Sequence, residues 1–223
     1  MHTDVQWSID HPELIVGLVE ADRVTIAPSS DELTATIAAA LEALPEPWPT
    51  PALQAGIRDL LRRGGYKPSG RNKPASEYLI KVAQKGRFPA INNVVDINNL
   101  MSARAAWPMS VLDRARALGD AGALEVRFGG PEERYVFNSA GQEIALKGLL
   151  GLARAGGAMV GNPVKDAMVA KTDDASRDLI VAIWASRAVA SEAEVEAVAR
   201  EYAALLSAHA GAEATRVWLR AGD

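Results

Sequence analysis

The chain has 223 residues, 48% of them hydrophobic, enough for a real core in one large or two small domains. It holds no cysteine, which excludes disulfides and thiolate metal sites and suits a reducing, cytoplasmic setting. The net charge of −4 makes no general case for a nucleic-acid partner, no apolar run reaches membrane-spanning length, and the start MHTDVQWSID lacks the layout of a secretory signal.

In chain order, ELIVGLVEADRVTIA predicts a strand interrupted by Gly17. Ser29 with Glu32 fits a capping box for a helix carrying Leu33, Ile37, Leu41 and Leu44. Pro45, Pro47, Pro49 and Pro51 end that helix in a stiff connector, where Trp48 reads as a packing anchor ahead of a stacking platform. A second helix places Leu53, Ile57, Leu60 and Leu61 on one face and stops at Gly64-Gly65. After the polar loop YKPSGRNKPAS, Ser76 is a candidate cap for the helix EYLIKVAQK, which buries Leu79 and Val82. Residues 51–90 hold nine bases (Arg58, Arg62, Arg63, Lys67, Arg71, Lys73, Lys81, Lys85, Arg87) against Asp59 and Glu77, a local +7 that leaves −11 for the rest. Such a patch on an acidic body is either a solvated face or a phosphate-binding one.

The stretch from Lys73 to Asp113 is the most unusual. It sets Asn92, Asn93, Asp96, Asn98 and Asn99 around the apolar Val94, Val95 and Ile97. Such side chains need assigned partners, because a buried amide without them costs about 1–3 kcal/mol. Either they bond backbone in a tight turn, or they point into a cavity and bond a ligand. Beyond Asp113 the pattern turns β-rich: LEVRF, RYVFN and EIAL are short strands between glycine-containing turns. GLLGLARAGGAMVG predicts a strand pair, with Gly156-Gly157 either hairpin punctuation or a point where backbone approaches a ligand. DLIVAIWAS predicts a buried strand. Ser191 with Glu194 opens a last helix that turns Val195, Val198, Tyr202, Leu205 and Leu206 inward and ends at Gly211, before a final strand, ATRVWLR.

FPAINNVVDINNL followed by WPMSVLD resembles the editing domain of the phenylalanyl-tRNA synthetase β subunit, which typically reads G-x-R/x-P-I-N-N-V-V-D-I-T-N-Y and then P-L-H-A-F-D. The step of eleven residues from Asn99 to Ser110 matches that family's Asn-to-His step. The likeness continues through LEVRFGGPEERYVFNSAGQEIAL and AGGAMVGNP to Thr172 and covers residues 73–185. Composition and pattern predict an α+β fold in a single domain, comprising 1–72, the core 73–185 and a closing helix and strand over 186–223. The resemblance adds a central, mainly antiparallel sheet with flanking helices and a cleft.

The resemblance implies a free-standing, trans-acting deacylase that hydrolyses the ester of a mischarged tRNA. It carries pocket roles to Asn98 (in place of the family's Thr), Asn99, Ser110 (in place of its His), Gly156 and Gly157. The acid that reads a tyrosine hydroxyl falls on Asp178 or near Ala182, so tyrosine specificity does not transfer. Free-standing relatives of this kind include deacylases for tRNA(Arg) carrying canavanine, whose guanidinium-like group would want a carboxylate: Asp178, Glu77 or Asp96. Tyr78 stands beside them as a further pocket candidate. Asn98, Asn99, Ser110 and the Gly157 amide are the expected water and oxyanion contacts, with no metal and no cofactor. Arg62, Arg63, Lys67, Arg71, Lys73, Lys81, Lys85 and Arg87 are the expected tRNA contacts. The other class left open is a non-catalytic tRNA- or small-ligand-binding module.

Overall fold

The computed structural model describes residues 2–222. The elements run β1 (Val5–Trp7), β2 (Leu14–Asp22), α1 (Asp31–Glu42), α2 (Pro51–Arg62), α3 (Ala75–Ala83), α4 (Asn93–Ala105), β3 (Met109–Asp113), α5 (Arg114–Leu118), β4 (Leu124–Phe128), β5 (Arg134–Val136), β6 (Glu143–Ala145), β7 (Leu150–Arg154), β8 (Met159–Gly161), β9 (Leu179–Ser186), α6 (Glu192–Ala210) and β10 (Ala214–Ala221). The fold is α+β. One four-stranded sheet, β10-β2-β9-β3, is antiparallel throughout; a second, β1-β4-β7-β8, is antiparallel except where β1 joins β4, and β5-β6 form a separate hairpin.

The first sheet is the middle layer. Side chains alternate across a strand, and here both faces are covered. Val16 and Leu18 of β2, with Ile180, Ala182 and Trp184 of β9, pack on Leu124, Val126, Leu150 and Leu152 of the second sheet. The alternate set, Ile15, Val19, Val181 and Ile183, packs on Ile97 and Met101 of α4 and on Val195, Tyr202 and Leu206 of α6. That is why β2 and β9 read as unbroken apolar runs instead of alternating. At the open end of β2, the buried Glu20 is balanced by Arg114 and Arg216, which also bind Asp22; Arg114 reaches Asp178 at 3.3 Å.

The asparagine stretch is a helix, and most of its polar side chains serve it. Asn92 caps α4, accepting from Val95 N at 2.9 Å. Asn93 accepts from Ala27 N and donates to Thr25 O and His209 O, tying α4 to the loop after β2 and to the end of α6. Asp96 accepts from Ile91 N at 2.8 Å and from Ser29 Oγ at 2.6 Å. Helix α1 is capped by Ser30, one residue later than expected, because Ser29 is spent on Asp96. Ser76 does not cap α3; it is buried inside the first turn, and Pro74 holds the cap position. The α6 capping box of Ser191 and Glu194 is present as read.

Candidate functional site

A cleft of about 1310 Å³ opens where α2, α3, α4 and β3 meet the loop that follows β8. Helix α3 forms one wall through Glu77, Tyr78 and Lys81, α4 gives Asn98 and Asn99, and β3 gives Met109 and Val111. Val164, Lys165, Asp166, Lys171 and Thr172 complete the lining, and the loop that carries the first three meets the start of α3, where Ala75 N donates to Pro163 O at 2.9 Å. Arg71, Lys73 and Lys81 contribute positive charge. Trp48 lines the cleft too, but its Nε1 donates to Ala103 O at 2.9 Å and its ring packs beside Leu79 and Ile80, so it is anchored.

The two amides on α4 are not equivalent. Asn98 is only 8% exposed; its Oδ1 accepts from the buried Tyr202 hydroxyl at 3.2 Å, and its Nδ2 makes a long contact of 3.5 Å to Met109 O. Asn99 is half-buried and lines the cleft, and its side-chain amide has no hydrogen-bond partner among the described residues. Both its donors and its acceptor are therefore available to a ligand or water.

Asp166 was not legible in the sequence. Asn162 builds the turn that presents it: its Oδ1 accepts from Val164 N and Lys165 N, both at 2.8 Å, and its amide meets the Tyr135 hydroxyl. Asn162 N then donates to Asp166 Oδ1 at 3.1 Å. Burial pushes the Asp166 carboxyl up to about 6, against the opposing pull of Ser110, the Asn162 N–H and Lys171. Beneath it Gly161 gives the room: a Cβ there would stand 3.2 Å from Asp166 Oδ1 and 3.6 Å from Ser110 Cβ. Gly161, and neither Gly156 nor Gly157, is the glycine beside Ser110.

No family model and no curated protein matches the chain.

The structure brings Asn98, Asn99, Glu77, Tyr78, Arg71, Lys73 and Lys81 to one cleft. It leaves the other candidates elsewhere. Gly156 and Gly157 sit in the exposed β7–β8 turn and do not line the cleft. The Gly157 amide, expected to face an oxyanion, already donates to Arg154 O at 2.8 Å, and Arg127 holds the Gly157 carbonyl at the same distance. Ser110 is fully buried below the cleft lining, with its hydroxyl between Trp184 Nε1 at 3.3 Å and Asn162 O at 3.4 Å. Asp96 is closed by Ser29 and Ile91, and Asp178 belongs to the Arg114 network and accepts from Arg23 N. Neither lines the cleft. Glu77 is in the cleft but grips Arg58 through both oxygens at 2.6 Å.

The basic patch divides likewise. Arg58, Arg62 and Arg63 are paired with Glu77, Asp59 and Asp10. Lys67 lines a separate hollow of about 320 Å³ with Lys147 and Lys165, and Lys165 borders both spaces. Lys85 and Arg87 are exposed beyond α3, outside the cleft lining. Lys165 Nζ stands 4.0 Å over the Phe137 ring, and its own burial followed by the repulsion of Arg71 lowers its pKa. No three His, Asp or Glu side chains gather into a metal-binding group among the described residues, and no helix there is long and apolar enough to cross a membrane.

Proposed function

We propose that the chain is a trans-editing aminoacyl-tRNA deacylase, which hydrolyses the ester joining a mischarged amino acid to the terminal ribose of a tRNA. The observation that carries this reading is the unpartnered Asn99 amide in an open cleft bordered by Arg71, Lys73 and Lys81. The cleft exceeds the ~300–1,000 Å³ of common small-molecule sites, so an adenosine and its amino acid fit together. The cations suit the phosphates that lead into that adenosine. The likeness of residues 73–185 to the synthetase editing domain points to the same activity.

An aminoacyl ester is already activated, so the work needed is to place a water and to stabilise the developing oxyanion. In this reading Asn99 donates to that oxygen or holds the water, and Asn98, fixed by Tyr202, shapes the wall behind it. Canavanyl-tRNA(Arg) is the substrate we place first. Its guanidino group would meet Glu77, whose two oxygens each keep a second lone pair after binding Arg58. Selectivity against arginine would be moderate, since one oxygen replaces one methylene.

The test is to incubate the protein with a panel of mischarged tRNAs, canavanyl-tRNA(Arg) included, and follow ester loss. Rapid loss from one member and little from correctly charged tRNA is the expected result. A gel shift without ester loss would identify a tRNA-binding module instead, and neither signal would end both nucleic-acid readings.

A further inference from the structure

We propose that Asp166 is the general base of this site, taking a proton from the water that attacks the ester. The inference rests on the deacylase reading and adds a catalytic residue that the resemblance did not supply. Two carboxylates line the cleft among the described residues, and Glu77 is held by Arg58. Asp166 has no arginine or lysine within ion-pair distance among the described residues. Its Oδ1 is fixed by Asn162 N at 3.1 Å, and the buried Ser110 hydroxyl also acts on the carboxyl. The carboxylate is thus held by its turn while it lines the cleft, where a water can reach it.

The rival bases fall away on placement. No histidine lines the cleft, and the Ser110 hydroxyl is buried and engaged. The groups facing Asp166 are consistent with a proton acceptor. Lys171 acts on it electrostatically and is itself tethered by donating to Phe137 O at 2.7 Å, while Lys165 is drawn over the Phe137 ring. The Tyr135 and Tyr202 hydroxyls feel its charge, and burial with that charge raises both, so they stay neutral. A carboxyl that titrates near 6 is mostly ionised at neutral pH, and is more basic than an ordinary aspartate, as a general base should be.

Water oxygen bonds to the ester carbonyl carbon as one of its protons passes to Asp166. The carbon–oxygen bond to the ribose then breaks, and the proton held by Asp166 goes to the departing ribose oxygen. Free amino acid and a tRNA with its hydroxyl restored leave, and Asp166 is a carboxylate again.

The experiment compares wild type with Asp166→Asn on the tRNA that the panel identifies as substrate. The amide keeps an oxygen for Asn162 N but cannot take a proton. A kcat loss of about 10²–10⁴-fold is expected, with gel-shift affinity and melting temperature unchanged. Asp166→Glu should recover part of the rate. In wild type, kcat/KM should fall roughly tenfold per pH unit below about 6, the value set at Asp166, and Asp166→Asn should lack that limb. Folded Asp166→Asn within about threefold of wild-type kcat would overturn the assignment and leave the deacylase reading intact. A wild-type profile flat through pH 6 would overturn it too, with no variant required. Absence of any deacylation by wild type removes the parent reading, and this one with it.

Discussion

Gly148→Ala is expected to lower the melting temperature far more than any other glycine-to-alanine change at a like backbone angle. Gly148 has φ +66°, and a Cβ on it would lie 2.0 Å from the Gly64 carbonyl oxygen and 2.8 Å from its carbon. The contact is mutual, since a Cβ on Gly64 would come within 2.2 Å of Gly148 O. Here the end of α2 crosses the chain entering β7, backbone on backbone, so no flexible side chain can give way. The positive φ costs an alanine about 1–2 kcal/mol, and forced separation of the two segments about 1–3 more. Against the ~5–15 kcal/mol that holds a domain together this is a severe loss, worth roughly 5–20 °C. Gly156→Ala is the control: φ is again +66°, but nothing lies within 4 Å of the added carbon. Differential scanning calorimetry should give it only the smaller, conformational part. Equal losses in the two variants would show that the close approach carries no strain.

Asn99→Ala is expected to lower kcat/KM for deacylation by about 10²–10³-fold, the range seen when one oxyanion donor is removed. Stability should hardly change, because the side chain is half-buried and has no hydrogen-bond partner among the described residues, and such substitutions stay within about 0.5 kcal/mol. Asn98→Ala should behave in the opposite sense. It strips the Tyr202 hydroxyl of its acceptor in a fully buried position, which costs about 1–3 kcal/mol and loosens α4 against α6. The pair therefore separates a chemical role from a structural one on adjacent residues. Asn99→Ala with undiminished ester loss and an unchanged melting curve would remove Asn99 from the chemistry.

Much of the fold was legible because local signals agreed with the tertiary answer. Ser191, Glu194 and Gly211 bound α6 as capping rules require, and the apolar runs of β2 and β9 read as strands, that of β9 as a buried one. The asparagine stretch was less readable. Asn93 and Asp96 find their partners at Thr25, Ala27, Ser29 and His209, far off in sequence, and those bonds override poor helix propensity. The same distance explains the cap misplaced onto Ser29. The site was half legible. Asn98, Asn99, Glu77 and the cations at 71, 73 and 81 converge, whereas Gly156 and Gly157, given pocket roles by the resemblance, do not line the cleft. Gly161 and Asp166 stand beside Ser110 instead, because β8 and the Asn162 turn come against β3, a neighbourhood that no spacing rule encodes. The charge count on residues 51–90 also overstated the free cations, since three of its arginines are paired with Glu77, Asp59 and Asp10.

The most direct test of the central claim is a crystal structure with a non-hydrolysable amide analogue of an aminoacyl adenosine. The analogue's carbonyl oxygen should lie within hydrogen-bond distance of the Asn99 amide, with Asp166 facing the same carbon and the 5′ end of the adenosine directed toward Arg71 and Lys73. An analogue bound outside this cleft, or seated in it with Asn99 turned away from the carbonyl, would contradict the account.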